Sequence, residues 1–345
     1  MSRAWISAGG TGGHIYPAIA IYDALEKSGI QVTYIGGDHE SMEQNVCEKK
    51  GMCFHATHNI KWLGWLKSWL WLWHLMCSII DLIKLKRLEK PDFILIMGGY
   101  PCFSSGLVAI LTGTPLYLHE QNSVMGITNR LMYHFVKKGF CAYKNLLGAY
   151  PKLIYVGNPS SITPITKPRI RGEQKLKILS FGGSGGARQL NQLMQTLIET
   201  NALDDYEIWH IIGDYDDHML KLNRKGVKIE RYNNNIEAAY QWADLAITRS
   251  GAMTLTELTL AGLPALLLPF PFATQDHQRK NAAYYVAKGG AWMCEDTPEG
   301  MMKQIDAIRN NPSKYNDMAL SMYDLRPKMA SDQTIVQLLL NTKGV

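Results

Sequence analysis

Short apolar runs alternate along the chain with longer stretches in which apolar positions recur every three to four residues. That alternation is the pattern of a parallel sheet flanked by helices. In the first half, residues 4–7, 32–35, 93–97, 116–119 and 153–156 read as strands. Residues 15–28, 42–50, 61–90, 104–111 and 128–136 read as helices. Residues 158–168 carry Pro159, Pro164 and Pro168 without periodicity and read as a linker. The alternation then restarts, with strands at 177–181, 207–212, 227–230, 245–248 and 265–268 and helices at 189–199, 236–242, 253–261 and 278–288. The expected fold class is α/β, with two tandem doubly wound, Rossmann-like parallel-sheet domains. The expected boundaries are residues 1–158, joined by a C-terminal helix at about 326–345, and residues 159–325. Ligands of such sheets bind at the carboxyl ends of the strands, so two facing halves are expected to enclose a cleft.

Composition adds little that conflicts with this. A chain of 345 residues, 46% hydrophobic and 19% charged, can bury two cores and is not a disordered polymer. Its net charge of +6 favours anionic partners only mildly, and nucleic acid is not expected. The six cysteines, at 47, 53, 77, 102, 141 and 294, form no C-x-x-C pair. A reduced cytoplasmic chain without structural zinc is the simplest expectation. The opening residues reach Gly9 before an apolar signal stretch can form.

One stretch breaks the soluble pattern. Trp62, Trp65, Trp69, Trp71 and Trp73 are five of the nine tryptophans, and Lys61, Lys67, Lys84, Lys86, Arg87 and Lys90 flank them. The longest run without a charged residue, 68–80, is thirteen residues, short of the ~20 a spanning helix needs. Tryptophan suits the headgroup level of a bilayer, and basic side chains are drawn to anionic lipid. A membrane-surface patch is expected here; the alternative is an aromatic helix buried in a core or dimer interface.

Candidate chemistry clusters at strand-to-helix turns. Ser7-Ala-Gly-Gly-Thr-Gly-Gly-His14 and Phe181-Gly-Gly-Ser-Gly-Gly-Ala187 both follow a strand and precede a helix. Glycine lets backbone N–H groups approach an anion at the positive end of a helix. Neither loop has the third glycine of a dinucleotide fingerprint, nor a P-loop lysine. A diphosphate fits better. Thr248-Arg-Ser-Gly-Ala-Met-Thr-Leu-Thr-Glu257 is a third such turn, and its Glu257 suits a pair of vicinal hydroxyls. Asp276, His277, Gln278 and Asn281 can read sugar hydroxyls. His119 and Glu120 hint at a metal, but neighbours on a strand point to opposite faces, so no metal is expected.

GGTGGHIYPAIA at 9–20, MGGY at 97–100, HEQN at 119–122, GGSGGARQLN at 182–191, RSGAMTLTEL at 249–258 and AGLPALLLPFP…DHQRKNA over 261–282 together resemble the MurG family of bacterial N-acetylglucosaminyltransferases, over most of the chain and in the same order. The resemblance implies the two-domain GT-B fold. It implies inverting, metal-independent transfer of N-acetylglucosamine from UDP-N-acetylglucosamine to the C4 hydroxyl of lipid I, the undecaprenyl-diphosphate-linked muramoyl pentapeptide, giving lipid II for peptidoglycan synthesis. The implied setting is peripheral, at the cytoplasmic face of the inner membrane on an anionic lipid surface. Neighbouring cell-wall and division complexes are the implied protein partners, with no cofactor.

Carried onto this chain, the catalytic residues are His14, matching the general base, and Asn122. The implied donor set is Thr11, Gly12, Gly13, Asn122, Ser184, Gly185, Gly186, Ala187, Arg249, Ser250, Gly251, Ala252, Thr254, Glu257, Gln278 and Asn281. The acceptor diphosphate set is Gly10, Thr11, Gly12, Gly99 and Tyr100. The membrane set is Trp62, Trp65, Trp69, Trp71, Trp73, Lys67 and Lys84. Three departures stand out. Ser160 and Ser161 follow Gly157-Asn-Pro where the family often has an arginine. Gly185 replaces a glutamine. Cys102-Phe-Ser replaces Ser-Gly-Pro after the MGGY motif.

Overall fold

The structure is a computed structural model that describes residues 2–38, 41–58, 68–172, 174–183 and 185–341. It divides into two compact units, Met1–Ser160 with Pro327–Val345, and Ser161–Arg326.

The first unit is built on a parallel sheet of β1 (Arg3–Ser7), β2 (Gln31–Gly36), β3 (Phe54–Ala56), β4 (Phe93–Ile96), β5 (Leu116–Glu120), β6 (Lys138–Cys141) and β7 (Leu153–Tyr155). Their order is β3-β2-β1-β4-β5-β6-β7. The helices are α1 (Gly12–Lys27), α2 (Met42–Lys49), α3 (Ser68–Glu89), α4 (Pro101–Thr112) and α5 (Ile127–Met132). Successive strand residues face opposite sides, which yields two cores. Ala4, Ile6, Phe93 and Leu95 pack with Ile15 and Ile19 of α1. Trp5, Ile94 and Ile96 pack with Leu75, Ile79 and Leu82 of α3 and Val108 of α4.

The second unit repeats the plan. Strands β8 (Lys177–Phe181), β9 (Glu207–Ile211), β10 (Val227–Glu230), β11 (Leu245–Thr248), β12 (Ala265–Leu267) and β13 (Ala291–Met293) are parallel, in the order β10-β9-β8-β11-β12-β13. Helices α6 (Arg188–Glu199), α7 (Ile236–Trp242), α8 (Ala252–Leu260), α9 (His277–Ala287), α10 (Pro298–Arg309) and α11 (Pro312–Asp324) surround it. Helix α12 (Ser331–Asn341) belongs to the first unit, where Ile335, Val336 and Leu339 complete the α1 core. The α/β class with two doubly wound parallel sheets is as the pattern predicted.

Three strands and two helices escaped that pattern. β3, β6 and β13 read FHA, KGFC and AWM, without the Leu and Ile that mark the equally short β7 and β12. β6 includes Gly139, where a Cβ would stand 3.1 Å from Leu118 Cδ1, so close strand packing rather than hydrophobicity selects that residue. The α10 and α11 signals were local. Each has proline in its first turn, and the Thr297 hydroxyl and Asn311 side-chain oxygen accept from the Gly300 and Lys314 N–H groups. The expected linker, residues 158–168, has no helix or strand but is tied down: the Ile165 N–H donates to the Leu260 carbonyl at 2.9 Å, and Arg169, the next residue after it, is held more firmly. Arg169 donates to the carbonyls of Ala261, Ala243 and Tyr240 at 2.6–2.7 Å. A cation thereby meets the carboxyl-terminal ends of α7 and α8, fastening the stretch after Ser161 to the second unit.

Candidate active site

In the first unit, β1 runs into the loop Ala8–Thr11 and then into α1. Thr11 stands at the N-cap without a side-chain hydrogen bond, and the first turn holds no acid. The positive end of α1 therefore carries no competing carboxylate from its own first turn. Gly98 and Gly99, at the end of β4, lie at φ +98° and +90°. A Cβ at Gly99 would overlap the Gly9 carbonyl oxygen, so the two strand-end loops touch backbone to backbone. Tyr100 borders Gly10, and a Cβ there would meet its ring at 3.8 Å. Glu43 of α2 is buried, and its carboxylate accepts from the Gly37 N–H at 2.9 Å.

The HEQN segment closes the same edge. Glu120 is buried and accepts from the Asn122 N–H, Asn122 Nδ2, Gly126 N–H and Asn129 Nδ2 at 2.9–3.3 Å. Its carboxylate thus shapes the turn after β5. His119 points the other way, with Nε2 2.9 Å from the Gly157 carbonyl and Nδ1 3.1 Å from Gln121 Nε2. Burial pushes the His119 pKa down to about 4. Gln121 Oε1 lies 2.9 Å from Nδ1 of half-buried His14. Gln121 and His119 were missed as site residues. Their spacing, two apart at a strand end, places both on the face of His14 and was the available signal.

In the second unit, Gly183 and Gly186 have φ +89° and +78°. Gly186 forms an isolated antiparallel bridge with Gly213, and a Cβ on it would overlap the Ile212 carbonyl oxygen. Among the described residues, nothing lies within 4 Å of a Cβ at Gly183 or Gly185. Helix α6 follows, capped by Ala187 without a side-chain bond and with no acid in its first turn. Asn191, also missed, donates to the Ile212 carbonyl and the Asp216 carboxylate at 3.0 Å, bracing the loop from below. Ser184 lies outside the described residues.

The third turn is more tightly knit than its sequence suggested. Arg249 donates to the carbonyls of Leu268 and Pro269 and to Gln189 at 2.9–3.2 Å. Ser250 Oγ donates to the Gln278 carbonyl, and Asn281 Nδ2 to the Ser250 carbonyl. Gln278 Oε1 accepts from the Phe270 N–H at 2.9 Å. These contacts hold the turn after β11, the end of β12 and the start of α9 in one arrangement. Gly251 opens α8 with no side-chain cap, followed by Ala252 and half-buried Thr254. Glu257 accepts from the Tyr240 hydroxyl at 2.7 Å. Burial raises its carboxyl pKa, against the lowering effect of that hydrogen bond.

On α3, Trp69 and Trp73 are each 65% exposed and share an outward stripe with Leu72, Met76 and Ile80. Trp71 departs from the expected membrane set. It packs inward against Phe103, ring centroids 6.2 Å apart, because the helix turn places it on the core side. Lys84 is exposed and lies 3.5 Å from Asp81. Trp62, Trp65 and Lys67 lie outside the described residues. Among the described residues, no helix is long and apolar enough to cross a membrane, and no three His, Cys, Asp or Glu side chains are grouped to hold a metal ion.

Comparison with known proteins is consistent across the chain. The glycosyltransferase family 28 N-terminal domain matches residues 5–141, and the family 28 C-terminal domain matches residues 177–334. The UDP-N-acetylglucosamine–N-acetylmuramyl-(pentapeptide) pyrophosphoryl-undecaprenol N-acetylglucosamine transferase of Shewanella amazonensis is 35% identical, over 84% of this chain and 83% of its own. The same-named protein of Desulforamulus reducens is 32% identical over 96% of each chain. The crystal structure of Acinetobacter baumannii MurG superposes with a TM-score of 0.80 at 27% identity, covering 99% of this chain and all of that one. Spinosyn rhamnosyltransferase SpnG shares the fold, with a TM-score of 0.73 at 16% identity. The parallel sheets are thus those of GT-B enzymes, and the chain belongs to glycosyltransferase family 28, as a MurG-like glycosyltransferase.

Proposed function

We propose that this chain transfers N-acetylglucosamine from UDP-N-acetylglucosamine to the C4 hydroxyl of lipid I, with inversion and without a metal ion. The observation that carries the reading is His14. It lies in the first turn of α1, beside a glycine cradle suited to a diphosphate, with its ring oriented by Gln121. The relatives named for this transfer supply the substrates.

Three chemical needs are met by this chain's own groups. The acceptor hydroxyl loses its proton to His14, histidine being the side chain used most often for such transfer, as its oxygen bonds to the anomeric carbon. The carbon–oxygen bond to the donor phosphate breaks, and UDP leaves with that electron pair. Its growing charge is met by backbone N–H groups where the loop after β8 enters α6 and by the dipole of that helix. Glu257, steadied by Tyr240, receives the ribose hydroxyls, while Gln278 frames the donor sugar and fully buried Asn281 braces the turn behind it through the Ser250 carbonyl. The outward stripe of α3 seats the enzyme on the anionic cytoplasmic face of the membrane that holds the acceptor.

Labelled UDP-N-acetylglucosamine and a lipid I analogue are expected to give the disaccharide lipid, in the presence of EDTA as in its absence. Loss of product with chelator, restored by Mg²⁺, overturns the metal-free route. Transfer to water-soluble acceptors but not to the lipid overturns the acceptor. His14→Ala is expected to lower kcat ~10²–10⁴-fold with a small change in donor KM. Near-normal turnover of that variant removes His14 as the base.

A further inference from the structure

A line of hydrogen bonds leads from the start of the linker to His14, and it can run in one direction only. The Gly157 carbonyl oxygen accepts and never donates, so His119 Nε2, 2.9 Å away, carries a hydrogen. His119 is fully buried, and burial keeps its ring neutral at physiological pH. Its Nδ1 is therefore an acceptor, and the group facing it at 3.1 Å is the Gln121 amide nitrogen. The same nitrogen lies 3.3 Å from the His119 carbonyl, a second group that only accepts. Reversing the amide would set its oxygen against two acceptors. With the nitrogen so placed, Gln121 Oε1 faces Nδ1 of His14 at 2.9 Å. Gly98 leaves room for the ring there, since a Cβ on it would stand 3.0 Å from His14 Cε1.

We propose that Gln121 is a positioning residue that holds His14 as its Nδ1–H tautomer, leaving Nε2 as the atom that takes the acceptor proton. This deepens the reading of His14 as base and rests on it for its catalytic meaning. A base whose second ring nitrogen is held by a fixed partner keeps its lone pair aimed. An amide does this without adding negative charge. A carboxylate in the same place would orient the ring equally well, but it would add a second negative charge, beyond that of Glu43, beside a loop suited to a diphosphate. The titratable groups around that loop include His119 on β5, Tyr100 before α4, Glu43 on α2 and Cys102 on α4, whose thiol donates to the Gly98 carbonyl. The linker shares in the arrangement, since Asn158 Nδ2 also donates to the Gln121 carbonyl at 3.1 Å.

The test is long-range proton–nitrogen NMR of the full chain labelled at histidine, with the His14 signals identified by their loss in His14→Ala. The expected result is a neutral ring protonated at Nδ1 in the wild-type protein. In Gln121→Met the ring is expected to lose that single tautomer, and kcat to fall ~10–100-fold with donor KM within about threefold. That loss is smaller than the ~10⁴-fold seen where a catalytic histidine is locked in the wrong tautomer, because methionine frees the ring rather than misplacing its proton. A wild-type ring protonated at Nε2 overturns the proposal without any variant. So does a Gln121→Met protein that keeps both the Nδ1–H ring and normal turnover. An Nδ1–H ring together with an active His14→Ala enzyme leaves the tautomer lock standing and refutes the general base instead.

Discussion

The two glycine loops look interchangeable on paper, yet the units hold them by different means. The first combines a backbone contact, Gly99 on the Gly9 carbonyl, with side chains: Glu43 on the Gly37 N–H, Tyr100 beside Gly10, and Gln121 on His14. The second is braced mostly by backbone, through the Gly186–Gly213 bridge, with Asn191 fastening the segment beneath. Only the first brings a titratable ring to the loop by a described hydrogen bond. A loop held by side chains can carry a proton-transfer group, whereas a loop held by backbone presents N–H groups to an anion. That contrast is the physical basis for assigning acceptor chemistry to the first unit and donor phosphate to the second.

One expected effect cuts across the contrast, and it is the largest. Among the described residues, each unit buries one neutral imidazole, His119 in the first and His210 in the second, and burial pushes both pKa values down to about 4. Unfolded imidazole takes up a proton from about 6.5 downward. Between those values the unfolded chain binds more protons. The stability present above pH 6.5 is therefore lost as the pH falls toward 4, by about 3 kcal/mol per ring. Melting followed from pH 7 to pH 4.5 is expected to show both units weakening over this window. A flat profile means that the rings are not buried neutral.

Glycine substitutions come next. Gly99→Ala in the first unit and Gly186→Ala in the second each force a left-handed backbone on alanine and drive a Cβ into a backbone oxygen. Left-handed geometry alone costs about 1–2 kcal/mol. With a carbonyl shift added, a loss of about 3 kcal/mol is expected in denaturant melts. The losses separate the loops by function as well: Gly186→Ala is expected to weaken UDP binding in calorimetry, and Gly99→Ala to leave it unchanged. Equal effects on UDP would erase the distinction between the units.

Among the described residues, the exposed apolar stripe of α3 has no counterpart on the helices of the second unit. Trp69→Ser with Trp73→Ser is expected to weaken binding to vesicles containing anionic lipid about tenfold, consistent with the transfer energy of exposed aromatic rings. Trp71→Ser is expected to lower stability instead, since its ring packs against Phe103. Unchanged vesicle binding in the double variant would show that the stripe serves another purpose. The smallest effect is expected at Gly185, where among the described residues no atom lies within 4 Å of a Cβ. Gly185→Gln is expected to change stability by no more than about 0.5 kcal/mol. A larger loss in melting would show the second loop to be packed rather than open.

Much was determined by residue order alone. Apolar periodicity specifies two parallel sheets, because a strand buried on both faces needs a continuous run of Val, Ile and Leu. Glycine at strand ends marks the loops where backbones approach closely, because only a missing side chain permits it. Tertiary structure decided the rest, since partners far apart in the chain leave no mark on a local pattern. It turned Trp71 inward while Trp69 and Trp73 face out. It gave Arg249 a set of carbonyls and a glutamine to hold, and closed the Glu120 carboxylate around a turn. It also brought Gln121 against His14, across 107 positions of sequence. Which ring nitrogen bears the proton depends on that contact and on the Gly157 carbonyl beyond it, because the direction of a hydrogen-bond chain is set at its far end.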